Sequence, residues 1–378
     1  MNTRAEEVLI SPMFSEELGP AQSVYPGFFK VQLNLDGARI SSLSTKAGYL
    51  KRNTERRLSQ TSWAALSAVA GKINGESPIF AELATCLAIE KLLNITVSDR
   101  VSFVRILVSE LSRISSHLRF LANLGKSVGQ LNLFHYALRD REAILDLLEL
   151  VSGSRYGSNY VRIGGVSSDV SEGFVERVLE LLEMMNFRLK EYNDLFSFNL
   201  IFVERAQANG LLTASTAQKF GVTGPNARSV GISTDFRKAI NYCRYDMVDF
   251  EIPLGIDARD GISDIHDRMI IRLREIAVSI GILKQVLKSL PEGSVTALDM
   301  RKVSISEGTA KVSVESPQGE FCVELGAKKG KETPDFVRIK APSKASFSLL
   351  PEVAKRAPRE DLALVIASLD LSISEVDL

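Results

Sequence analysis

The stretch Val101-Ser102-Phe103-Val104-Arg105-Ile106-Leu107-Val108-Ser109-Glu110-Leu111-Ser112-Arg113-Ile114-Ser115-Ser116-His117-Leu118-Arg119-Phe120-Leu121 decides the fold. Val101, Val104, Leu107, Leu111, Ile114, Leu118 and Leu121 recur at spacings of three and four, which draws one apolar stripe along a helix. Ser98-Asp99, just ahead of the run, is the residue type that caps a helix start. Residues 172–192 repeat the pattern with Phe174, Val178, Leu181, Leu182, Met185 and Leu189. Residues 268–288 repeat it with Met269, Leu273, Ile276, Ile280, Leu283 and Leu287. Helices this long, joined at Gly164-Gly165, Gly221-Val222-Thr223-Gly224-Pro225 and Gly255, predict a bundle across residues 78–290.

On either side of the bundle the period changes to two. Phe29, Val31, Leu33 and Leu35 alternate onto one face, Asp36-Gly37 signals a hairpin turn, and Arg39-Ile40-Ser41-Ser42-Leu43 returns. After Leu290-Pro291-Glu292-Gly293, the segments Val303-Ser304-Ile305-Ser306, Lys311–Glu315 and Glu320–Leu325 predict a second β region. Residues 326–334 read as a solvated loop and 360–369 as a last helix. The expected class is α+β. Residues 1–70 form an N-terminal β region with its linker, 71–290 the helical core, and 291–378 a C-terminal β region with a closing helix.

The 378 residues carry 46 Lys+Arg against 46 Asp+Glu, so no net field draws the chain to nucleic acid. Cys86, Cys243 and Cys322 are scattered, with no CxxC pair. With three histidines, His117, His135 and His266, they predict buried free thiols and no metal site. The most apolar stretch, Met269 to Leu287, is interrupted by Arg272, Arg274, Glu275 and Lys284, which rules out a membrane span. The first residues, Met1-Asn2-Thr3-Arg4-Ala5-Glu6-Glu7, contain no apolar leader segment. Contact with a membrane is expected through partners alone.

Ordered segments carry a family resemblance. Leu138-Arg139-Asp140-Arg141-Glu142-Ala143-Ile144-Leu145-Asp146-Leu147 and Asn159-Tyr160-Val161-Arg162-Ile163-Gly164-Gly165-Val166 resemble "REREKILDLFE" and "NYFRIGGV" of the 49-kDa, or D, subunit of respiratory complex I. Ala88-Ile89-Glu90-Lys91-Leu92-Leu93, Glu110 to Leu118, Gly221 to Pro225, Asp235 to Lys238, Asp264 to Arg268, Arg338 to Ser343 and Glu375 to Leu378 are similar to further family segments in the same order. That collinearity is far more specific than any one motif. It implies a fold like the large subunit of nickel–iron hydrogenases. Those relatives hold their metals on CxxC pairs that this chain lacks, so hydrogenase chemistry is not expected.

The resemblance further implies a subunit with no cofactor of its own. It would pack on a smaller subunit that bears an iron–sulfur cluster, among other peripheral-arm and membrane-arm subunits. It would lie in the membrane-associated arm on the cytoplasmic face, or on the matrix face of a mitochondrion. The substrate at the shared cavity is a quinone, which needs hydrogen-bond donors for two carbonyl oxygens. Family donors are missing here. Gln22 and Pro26 stand where the family has histidines, and Gly75 where it has a tyrosine; Gly71 and Asn74 replace aspartates. Pro26 has no proton to donate. Tyr25 either substitutes as a phenol donor or simply packs.

Glu110, Arg113 and His117 share a helix face. They are either a buried network that tunes the neighbouring cluster or relays protons, or a structural ion pair beside a core histidine. Tyr25 and His117 are thus the candidate catalytic residues. Arg52 corresponds to a family arginine that faces the cluster subunit, though an exposed arginine would look the same. Asp267 and Arg268 are either a cap and its dipole partner or members of the interior network. Three functions stay open at this point: a quinone-site subunit, a degenerate structural copy, or a relative that reduces another acceptor such as a sulfur compound.

Overall fold

The apolar stripe seats the Asp99–Ser127 helix at the centre of the molecule, with 29 residues spanning about 43 Å. In the computed structural model, which describes residues 13–22, 25–255, 261–299 and 305–378, Ser98 caps this helix, its Oγ accepting from the Val101 N–H at 3.2 Å. The helix packs against Leu131–Ser152 and Ile265–Lys288, and Phe174–Ser197 closes the ring against both of those. The result is a four-helix bundle. Ile265–Lys288 begins with a reciprocal capping box between Asp264 and Asp267.

A fifth helix, Pro78–Leu93, is buried on nearly every side. It lies between the central helix and the C-terminal sheet, so it carries apolar residues all round rather than a stripe. Cys86, Cys243 and Cys322 are free and buried.

Two three-stranded antiparallel sheets flank the helices. The N-terminal sheet runs Met13–Leu18, Lys30–Asp36, Arg39–Lys46 in spatial order, and Asp36 pairs with Arg39 across the expected turn. Phe29, Val31 and Leu33 are buried as the alternation requires. Leu35 departs from that face: the register shifts between Asn34 and Leu35, leaving Leu35 half-buried. The alternation did not announce the Met13–Leu18 strand.

The C-terminal sheet is Gly308–Ser316, Gly319–Ala327 and Phe336–Lys340. Of the expected segment Val303-Ser304-Ile305-Ser306, the first two residues lie outside the described residues, and Ile305-Ser306 are not in a strand. The 328–332 loop is exposed, but its carbonyls hold Trp63: Lys331 accepts from the indole N–H and Glu332 from the backbone N–H. The closing region holds three helices, Pro342–Val353, Leu362–Ser368 and Ile373–Val376, where one was expected.

Gly224 explains one connector. Its φ is +69°, and a Cβ there would fall 2.4 Å from the Gly319 Cα and 2.6 Å from the Gln318 carbonyl oxygen. The Gly221–Pro225 segment is therefore pressed directly onto the hairpin turn of the C-terminal sheet, where Thr223 Oγ1 accepts the Glu320 N–H at 2.9 Å. Gly224→Ala combines a left-handed backbone with overpacking against backbone atoms. It is expected to destabilise the fold by roughly 2–4 kcal/mol, read as a lowered denaturant midpoint.

Candidate functional site

The central helix carries an acidic side chain in its most buried stretch, and the surrounding structure is arranged to satisfy it. Glu110 is fully buried and accepts from the Arg113 and Arg237 guanidiniums, each at 3.2 Å. It also accepts from the Tyr245 hydroxyl at 2.7 Å and the Ser279 hydroxyl at 2.6 Å. Burial alone would raise its pKa, but Arg113 and Arg237 outweigh burial and hold the carboxyl below its usual range.

Arg237 continues the network to Asp235 at 2.6 Å and Glu275 at 3.5 Å. Arg228 joins Glu275 at 2.6 Å and Glu315 at 2.8 Å. Burial pushes the Glu315 carboxyl up. Asp235 feels the same burial, but Arg237 and Arg228 hold it down. Arg272 acts on Glu275 from the other side, so four carboxyls face four guanidiniums.

His117 sits among these charges without joining them. Neither ring nitrogen has a hydrogen-bond partner among the described residues. Its Nε2 lies 4.0 Å from Glu275 Oε2, but burial and the fields of Arg272, Arg113, Arg228 and Arg237 push its pKa well down. The ring is neutral, so the approach to Glu275 is not an ion pair. Arg268 is buried on a separate set of partners, donating to Gly210 O at 2.8 Å and Ser368 Oγ at 3.0 Å. The cap of the Ile265–Lys288 helix is Asp264, and Asp267 is its partner three residues on, accepting the Asp264 N–H.

A second cluster lies where the N-terminal loop meets the closing helices. Tyr25 and Pro26 line a cavity of about 60 Å³ with Asn123, Ser127, Ile366 and Asp370. The Tyr25 ring stacks on Phe29 at 4.7 Å. Its hydroxyl is buried without a hydrogen-bond partner among the described residues, and burial pushes its pKa up to about 12. Asp370 accepts from Arg119 Nη2 at 3.2 Å, and Arg119 Nη1 reaches Glu76 Oε2 at 2.8 Å, one residue from Gly75.

The Ile373–Val376 helix joins the two loops. Ile373 lies where a Cβ on Gly27 would sit, and Glu375 accepts from Asn74 Nδ2 at 2.8 Å. Asp377 then receives the backbone N–H groups of Gly48 and Leu50, both at 2.7 Å.

Pro26 and Gly75 are thus brought to one face through Ile373–Val376 and Arg119. Gln22 is exposed, its carbonyl accepting the Tyr25 N–H at 3.1 Å. Arg52 is also exposed and donates to Lys72 O at 3.2 Å. Sequence reasoning named Glu110 and Arg113 but missed their partners Arg228, Asp235, Arg237, Glu275 and Glu315. A signal existed: Arg272 and Glu275 interrupt the apolar stripe of their helix, and on a buried helix such charges need partners. For Glu76, Arg119 and Asp370 no sequence signal existed, since they come from three segments without shared periodicity.

The chain matches the model of the family described as respiratory-chain NADH dehydrogenase, 49 kDa subunit, over residues 127–307 and 297–378. It is 31% identical to the D subunit of the NADH-quinone oxidoreductase of Bacillus cytotoxicus and 32% identical to that of Bacillus anthracis, over 99% of each chain in both cases. It is 32% identical to the same subunit of Geotalea uraniireducens, over 95% of this chain and 97% of the relative.

Two outcomes follow from the buried carboxyls. Glu110→Ala takes from fully buried Arg113 its carboxylate partner and from Arg237 one of its partners. It is expected to cost about 3–5 kcal/mol in denaturant titration. Glu82 is buried, accepts the Asn159 N–H at 2.6 Å, and is pushed by burial from 4.5 to about 7. Between those values the native state keeps a proton that the unfolded chain has lost. Glu82's share of stability therefore falls as pH rises from 4.5 to about 7, by on the order of 3 kcal/mol, and is flat above. Glu82→Gln is expected to flatten that part of the stability–pH curve, measured by unfolding at a series of pH values.

Proposed function

Because the chain belongs to the family of the 49-kDa subunit of respiratory-chain NADH dehydrogenase, we propose that it is the peripheral-arm core subunit that encloses the quinone cavity of an NADH–quinone oxidoreductase, together with a small subunit bearing an iron–sulfur cluster. One observation carries the placement of the cavity. The segments around Pro26 and Gly75, 49 positions apart in sequence, are joined by the Ile373–Val376 helix and by the Glu76–Arg119–Asp370 chain.

Size supports a cavity shared with another chain. An apolar void that admits a benzene ring is about 150 Å³. The 60 Å³ beside Tyr25 and Pro26 is too small for a quinone ring, so the remaining wall belongs to a partner. No described helix is long and apolar enough to cross a membrane. The membrane-arm subunits then supply the contact with the bilayer, on the cytoplasmic face or the matrix face. Arg52, exposed on the linker, is offered to the cluster-bearing subunit.

Tyr25 takes the donor role on this face. Its hydroxyl is protonated at neutral pH, buried, and without an acceptor among the described residues. Such a group gains most from a carbonyl oxygen placed against it. Quinone reduction takes two electrons, from the partner's cluster, and two protons. The phenol orients the ring and supplies the first hydrogen bond. The charged core around Glu110 sets the potential behind this face, and neutral His117 lies within it.

Tyr25→Phe in the assembled complex is expected to lower kcat/KM for a soluble quinone about three- to tenfold, the loss of one hydrogen bond. NADH oxidation by an artificial acceptor upstream should stay unchanged. Undiminished inhibitor-sensitive quinone turnover in this variant would remove Tyr25 from the site.

A further inference from the structure

We infer that Arg119 and Arg141 form a binding site for an anionic oxygen, now occupied by the chain's own Glu76. One oxygen, Glu76 Oε2, lies 2.8 Å from Arg119 Nη1 and 3.5 Å from Arg141 Nη2. Two guanidiniums thus converge on a single point, and that point holds a carboxylate oxygen.

The donors there are incompletely satisfied. Arg119 Nε is buried with no hydrogen-bond partner among the described residues, and buried Arg141 Nη2 has only the 3.5 Å approach to Glu76, which is not a hydrogen bond. The Arg141 side chain is only 9% exposed, its Nε donates to Ser115 Oγ at 3.3 Å, and its guanidinium lies over the Tyr156 ring. Buried guanidinium N–H groups without acceptors are costly, and an incoming anion would relieve that cost.

The acids that face this pair are few. Asp370 is shared between Arg119 at 3.2 Å and Arg272 at 3.9 Å, and Arg272 also acts on Glu275. Glu76 is the acid that Arg119 and Arg141 share.

Glu76 itself is a weak occupant. Its side chain is 45% exposed, so its ion pairs are screened by water. Beside it, a Cβ built on Gly75 meets nothing within 4 Å. Because it is half exposed, the Glu76 carboxylate can turn toward solvent and leave its place to a ligand oxygen. Arginine is always charged and presents a fork of donors that matches an oxyanion, so it binds negative charge but gives no proton.

This site deepens the proposed function and rests on it for one point, that the Gly75 face is the acceptor cavity. There the two arginines would hold the headgroup oxygen on which negative charge gathers as electrons arrive. The protons would come from elsewhere, since no guanidinium releases one at neutral pH.

The probe is selenate, with sulfate as its kinetic counterpart, applied to the assembled complex at constant ionic strength. Selenate should appear between Arg119 and Arg141 in difference density. Sulfate should raise the apparent KM for a soluble quinone and leave kcat unchanged. Glu76→Gln removes the competing carboxylate without touching either arginine, and should strengthen sulfate inhibition about tenfold. Arg141→Gln should abolish that inhibition. Selenate bound at the pair with a quinone KM indifferent to sulfate would uphold the anion site and overturn the placement of the acceptor cavity. No selenate at the pair, in either the parent or Glu76→Gln, would overturn the anion site itself.

Discussion

The Glu110 carboxylate is the point on which the interior depends. Taking an ionised carboxyl out of water costs several kcal/mol, and the structure repays this with two guanidiniums and two hydroxyls drawn from three parts of the chain. Arg113 lies one turn along the same helix. Arg237 and Tyr245 come from the connector beyond the Gly221–Pro225 turn, and Ser279 from the neighbouring Ile265–Lys288 helix. Each arginine has a second obligation: Arg113 donates to Glu315 O at 2.7 Å, and Arg237 is clamped by Asp235. An apolar core would tolerate sliding between helices. This core does not, because any shift leaves a buried charge without its partner.

How legible this was depends on the kind of signal. The bundle was visible because a helix with one buried face writes its period into the sequence, as Val101 to Leu121 does. The hairpin at Asp36-Gly37 was visible because turn chemistry is local. The Leu35 bulge, the Met13–Leu18 strand and the two extra closing helices were not. Strand pairing and short helices are decided by what packs on them, and the sequence holds no local record of that. In the site, Glu110 and Arg113 were found because they are three apart on one helix. Glu315 and Asp235 escaped because their role is set by Arg228, which no shared periodicity ties to either of them.

The two polar clusters differ in character. The one around Glu110 is closed: its members are buried, mutually paired and evenly balanced in charge. The one around Arg119 is open: a half-exposed acid, unfilled N–H groups and a glycine with space beside it. Arg272 touches both, lying 3.9 Å from Asp370 and adding its field to His117. A change of charge on the open side is therefore felt in the closed one through a single buried guanidinium, in surroundings where screening is weak.

The bonds from Asp377 to Gly48 and Leu50 join residues 329 and 327 positions apart. A ribosome adding about 5–20 residues per second needs on the order of tens of seconds to travel that distance. Through that interval the first sheet and its linker exist without the strut that fixes them, while the bundle helices, whose contacts are nearer in sequence, are able to form. The linker after the first sheet is thus among the last parts of the fold to be fixed, and its final geometry waits on the far end of the chain.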